Sequence, residues 1–293
     1  MINPLRKHHL TMRLILLTLI CLLSSGCSYL LEKQSSKFAN RMSDTMLNFE
    51  DPATVGAAMP TFLIIIDSIA RDEDAGSGSL LAAAKIYGAY AGAFVAEPER
   101  QRILSEKAFA YAQRGVCAED KHWCGIQELK PAEFSIWMQS LDAEDIDRSY
   151  AFAVAWLGYI QSHSDDWNAV ADLSKARQLL EMVARQDPAY DHASVQLYLG
   201  AIATILPPAL GGKPEQAKQY FEQGMTLSHG RNLLIPVEYA RRYARLLFDQ
   251  ELHHQLLTQV VEADPEEPGL TLMNRWAQQE AGKLLAGEAE YFE

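Results

Sequence analysis

Apolar residues recur along most of this chain at intervals of three and four, the spacing that lines one face of a helix. "LLAAAKIYGAYAGAF" (80–94), "SYAFAVAWLGYIQ" (149–161), "SVQLYLGAIATI" (194–205) and "VEYARRYARLLF" (237–248) each carry such a face. A second stretch follows each of them, rich in the helix formers Ala, Leu, Gln, Glu and Arg. These are "SEKAFAYAQRGVC" (105–117), "KARQLLEMVARQDPAY" (175–190), "EQAKQYFEQGMTLSHG" (215–230) and "HHQLLTQVVEADPEE" (253–267). Period-two alternation, the mark of a half-buried strand, is nearly absent. The pattern predicts an all-α chain built from helix pairs.

The second stretches repeat one another. Ala176, Leu180, Val183 and Pro188 have the spacing of the second helix of a tetratricopeptide repeat, and Leu257, Val260 and Pro265 share that register. Ala217, Phe221 and Gly224 repeat it, with Gly230 placed to close the helix in a left-handed cap. Ala108, Ala112 and Gly115 form a fainter copy. Helices that cross closely need Ala or Gly at the contact, and Gly88, Gly158 and Gly200 fall at that place in the first helices. The expectation is a tetratricopeptide-like solenoid of about four pairs with insertions at 162–172 and 207–213. A helix at Thr54–Arg71 and another at Leu270–Ala286 would cap it.

The N-terminus breaks the pattern. An apolar run from Leu14 to Leu23 is preceded by Arg6, Lys7 and Arg13 and ends in Ser24-Ser25-Gly26-Cys27. It is too short to cross a bilayer comfortably and has the shape of a secretory signal. The small residues before Cys27 resemble a bacterial lipobox, in which that cysteine is lipidated and residues 1–26 are removed. An uncleaved N-terminal anchor is the competing reading, and Met12 is an alternative start. Residues 27–50 would then be a tether, and 51–293 the helical domain. Ser28 is not the aspartate that retains such proteins at the inner membrane, which places the chain on the periplasmic face of the outer membrane.

That compartment changes the meaning of the cysteines. Cys21 leaves with the signal and Cys27 carries lipid, so Cys117 and Cys124 remain, a short loop apart. In an oxidising compartment they are expected to form a disulfide. A metal site from Cys117, His122 and Cys124 lacks a fourth ligand, and two free thiols are the third alternative. The signal takes three basic side chains and no acidic one, leaving 23 Lys+Arg against 38 Asp+Glu and a formal charge of −15. Such a surface repels phosphates, which argues against nucleic acid as a partner.

Nothing in the chain has the layout of a catalytic, metal or cofactor site. "LGGKPEQ" lacks the first glycine of a phosphate loop and has Pro214 where Ser or Thr would hold magnesium; a turn with Pro at the first helical position explains it. His253 and His254 diverge by about a quarter turn on a helix, so they read as a solvated pair. His163, Asp165 and Asp166 read as a polar loop with helix-capping acids. An enzyme is not expected, and no cofactor is implied.

What remains is aromatic. Tyr87, Tyr90, Trp156, Tyr159 and Tyr198 recur on first helices, which line the concave face of such a stack. They are either ordinary core residues or the apolar wall of a groove. Arg241 and Arg245, one turn apart, are either a cationic handle for a carboxylate or paired with nearby acids.

From "DPATVGAAMPTFLIIIDSIARD" through "YGAYAGAFV" and "LGGKPEQAKQYFEQGMTLSHGRNLLIPVEYARRYA" to the closing Phe292, the chain resembles the T-component lipoproteins of tripartite ATP-independent periplasmic (TRAP) transporters. The resemblance implies a partner, the transporter's soluble solute-binding protein. It also implies a trimer with a hydrophobic channel in each subunit, and thus a small apolar or organic-acid ligand. The two insertions are where a partner could dock. A generic tetratricopeptide scaffold in envelope assembly is the alternative function.

Overall fold

The computed structural model describes residues 41–72, 74–206 and 211–293. Cys27, the signal segment and most of the 207–213 insertion lie outside the described residues. The chain divides into two units, Met1–Asn48 and Phe49–Glu293. The described part of the first is a short helix over residues 41–47.

The described residues of the second unit are helices and turns, with no strand among them. In order they are α1 (Pro52–Ala70), α2 (Ser77–Phe94), α3 (Pro98–Glu119), α4 (Pro131–Trp137), α5 (Ile146–Ser162) and α6 (Trp167–Ala171). Then come α7 (Leu173–Gln186), α8 (Ser194–Ala203), α9 (Pro214–Leu227), α10 (Leu234–Glu238), α11 (Gln250–Glu262), α12 (Thr271–Ala286) and α13 (Glu288–Phe292). The all-α reading holds, and the paired periodic stretches are the observed α2–α3, α5–α7 and α8–α9.

The starts and stops are chemical. Pro stands in the first turn of α1, α3, α4 and α9, where its missing N–H costs nothing. Asp51 caps α1 by accepting from the N–H groups of Ala53 (3.0 Å) and Thr54 (3.2 Å). Gly230, at φ 71°, donates its N–H to Met225 O at 2.9 Å and closes α9.

Helices pack chiefly on their neighbours in sequence: α2 on α3, α3 on α5, α5 on α7, α7 on α8, α8 on α9 and α11 on α12. One apolar core is filled by α1–α5, α7 and one side of α8 (Val195, Leu199, Ile202). A second core takes Leu197 from the same helix, with Phe221, Ile235, Tyr239, Leu257 and Ala277. Tyr198 packs against both, so α8 is the seam between them. Two contacts close the unit: α12 packs on α1, and Trp276 Nε1 donates to Ala93 O at 2.8 Å.

Several expectations need correcting. The fourth first-helix is not a regular α-helix: after α10 the chain passes into a π-helix, Tyr239–Ala244, with Arg245 N donating to Ala240 O at 3.2 Å. Of the three glycines assigned to close crossings, only Gly200 is at one, where an added Cβ would stand 2.8 Å from the Phe221 ring. A Cβ at Gly158 would meet nothing within 4 Å. Gly56, Gly115 and Gly224 make the other tight approaches, to Phe94, to Leu81, and to Gln196 and Ile235. His253 is fully buried, so the histidine pair is not solvated as a pair.

Candidate functional site

The seam at Tyr198 gathers polar groups from four helices. Tyr150 on α5 meets the Tyr190 ring edge-on at 4.8 Å and that of Tyr198 at 6.1 Å. Tyr150 donates its hydroxyl to Asp191 Oδ2, and Tyr190 donates to Asp147 Oδ1, each at 2.5 Å. Burial pushes all three phenols well above their ordinary value; Asp191 adds to the effect at Tyr150 and Tyr198, and Asp147 at Tyr190. Glu238 raises Tyr198 further, which puts that phenol within the field of two carboxylates. The three therefore remain neutral donors at any physiological pH.

Two irregular backbone segments deliver this chemistry. Asp191, His192 and Ala193 all lie in the left-handed region, at φ 52°, 53° and 63°. Three consecutive non-glycine residues there are costly, about 1 kcal/mol or more each, and persist only where their surroundings fix them. Asn232 does part of that, its Nδ2 donating to His192 O and Ser194 Oγ, each at 3.1 Å. The second segment is the π-helix, which follows directly on Glu238. Glu238 takes Arg241 Nη1 at 2.7 Å and Arg242 Nε at 2.5 Å, while Arg241 Nη2 reaches Glu280 Oε2 at 2.8 Å.

The residues singled out from sequence do not share one wall. Tyr87 is buried between α1, α2 and α3, donating to Asp67 Oδ1 at 3.1 Å. Tyr90 is buried too, its hydroxyl accepting from Arg100 Nη2 at 3.1 Å. Trp156 is fully buried among Phe109, Phe134 and Phe152. Tyr159 stacks on His163 at 4.1 Å, beside the 162–172 insertion. Tyr198 is at the seam, its hydroxyl free of hydrogen bonds to described residues. Arg241 belongs to the seam as well but is held by two glutamates, whereas Arg245 lies over the Tyr291 ring at 4.3 Å, near the C-terminus. Cys117 and Cys124 are bonded Sγ to Sγ, with Cα atoms 4.5 Å apart.

Sequence reasoning missed Tyr150, Tyr190, Asp147, Asp191 and Glu238. The loop "QDPAYDHAS" carries no glycine, so nothing in it signals a left-handed run. Chemically the seam offers neutral phenols, carboxylate acceptors and a neutralised arginine pair. No group of three or more candidate metal-binding side chains occurs among the described residues.

Comparison with known proteins narrows the reading. No curated protein matches the chain. Residues 48–292, nearly the whole chain, match the family model TAtT, TRAP transporter T-component. The chain belongs to the TRAP transporter T-component family.

Proposed function

We propose that this chain is a lipoprotein on the periplasmic face of the outer membrane that associates with the solute-binding protein of a TRAP transporter. Lipid on Cys27 would hold it there, and its helix pairs would form a tetratricopeptide-like stack, three copies to an assembly. The observation that carries the reading is the family match over residues 48–292. The role is transport without catalysis.

The seam at Tyr198 is the proposed ligand wall. An organic acid binding there would have to displace Glu238 or Glu280 from Arg241, breaking an ion pair whose carboxylate is largely shielded from water. A ligand with an apolar body and a neutral polar end leaves those pairs intact and can use the Tyr198 hydroxyl. The wall favours that kind of molecule.

Purified mature protein, mixed with the solute-binding protein of the same transporter, should co-elute with it in size-exclusion chromatography. Recovery from periplasm of outer-membrane assembly factors alone would overturn the assignment.

A further inference from the structure

Trp167 has 84% of its surface in solvent, the largest exposure among the large apolar residues described. It begins α6, inside the 162–172 insertion, and its base is fixed. Asp166 Oδ1 accepts from Asn168 N at 2.9 Å, Asp166 O accepts from Val170 N at 3.0 Å, and Ala169 is buried beneath. Just before it, His163 is buried with Nε2 2.8 Å from Glu106 Oε1 on α3 and Nδ1 2.8 Å from Tyr159 O on α5. The indole therefore stands on a platform tied to two long helices, and little backbone has to be ordered when something binds it.

The surroundings of that platform have one dominant charge. Asp165, Asp166 and Glu106 are acidic, and Arg102 is the cation among them, 3.6 Å from Asp165. Ile103 lies beside Arg102 on α3 and is 55% exposed. An aromatic side chain at the centre of an acidic rim has the composition of an interface hot spot, in which the ring supplies binding energy and the charges steer approach.

We propose that Trp167 is the docking residue for the solute-binding protein: the indole enters an apolar pocket on that protein whose rim is basic. This rests on the partner reading given above. The occupant follows from charge. Anionic lipid and nucleic acid are repelled by the acidic rim and by a chain of formal charge −12. A second copy brings the same strongly acidic net charge to the acidic rim. A basic-rimmed protein pocket meets neither obstacle.

Titration of the purified solute-binding protein into the mature chain, read by calorimetry and tryptophan emission, tests this. Wild-type protein should bind with a blue shift. Trp167→Ala should bind about thirtyfold more weakly or worse, the hot-spot scale, without that shift. Asp165→Lys should slow association and flatten its salt dependence. If Trp167→Ala lowers the melting temperature, Asp165→Lys decides. Equal affinity of well-folded Trp167→Ala and wild type overturns this docking residue and leaves the partner reading standing. Absence of binding by wild type overturns both. Loss of self-association in Trp167→Ala, with solute-binding protein still bound, assigns the indole to a second copy and also overturns the proposal.

Discussion

Asp67 is the residue on which three helices converge. It lies on the core side of α1, and Tyr87 from α2, Tyr111 from α3, Lys107 from α3 and Arg71 all bond its carboxylate. Burial pushes the carboxyl up, but the hydrogen bonds and charge of Lys107 and the two phenols outweigh it and hold it at about 2. The sign follows directly. A depressed carboxylate stabilises fully above its unfolded value of 3.8, and that stability is lost as pH falls toward about 2. Asp67→Asn keeps the size and removes the charge, leaving Lys107 without its counter-ion, and should cost about 3 kcal/mol. Urea unfolding at neutral pH measures it, and the variant should lose the acid-limb dependence that wild type shows. Of this network the sequence displayed Tyr87, but as an aromatic among aromatics. Its partner is 20 residues away and Tyr111 is 44 from Asp67, separations at which no local pattern connects donors to an acceptor.

At the scale of elements, the C-terminal turn α13 is fastened to α11 by a small charged and aromatic set. Glu288 accepts from Gln250 Nε2 at 3.2 Å and lies 3.1 Å from His254 Nδ1; Phe292 packs edge-on against His253 at 5.1 Å. Neither nitrogen of His253 is hydrogen-bonded to a described residue, and Nδ1 is 3.7 Å from Glu288 Oε2. Burial pulls the imidazole below its ordinary 6.5, Arg245 and His254 pull the same way, and Glu288 opposes them. The folded ring therefore stays neutral while the unfolded one takes a proton, so stability falls as pH drops below 6.5. The urea midpoint should decline between about pH 7.5 and about pH 5.5, and His253→Phe should flatten that decline. The long helices were legible because ten or more residues display a 3.6 period. Helices α4, α6 and α13 were not, being five to seven residues long, too short to show one. The π-helix was invisible for a different reason: "EYARRYA" has apolar residues that suit either winding, and tertiary contacts choose between them.

Across the whole Phe49–Glu293 unit, the informative contact is the one that joins its beginning to its end. Trp276 reaches Ala93 across 183 residues, and Leu272 of the same helix enters the first core. Trp276→Phe keeps a ring and removes the N–H. It should destabilise by about 1–3 kcal/mol, since Ala93 O loses its donor. Denaturation followed by helix ellipticity and by tryptophan emission should still give coincident curves, because both cores share α8 and α12 and are not free to melt apart.

That same contact has an evolutionary reading. An open stack of helix pairs can lengthen by duplicating a repeat, since each added pair needs only the neighbour it lands on. Here the last long helix must arrive at the first, so one extra pair would carry α12 past α1 and leave Ala93 O without its indole. The number of pairs is locked by closure, and variation is confined to the connections, where the insertion bearing Trp167 already lies.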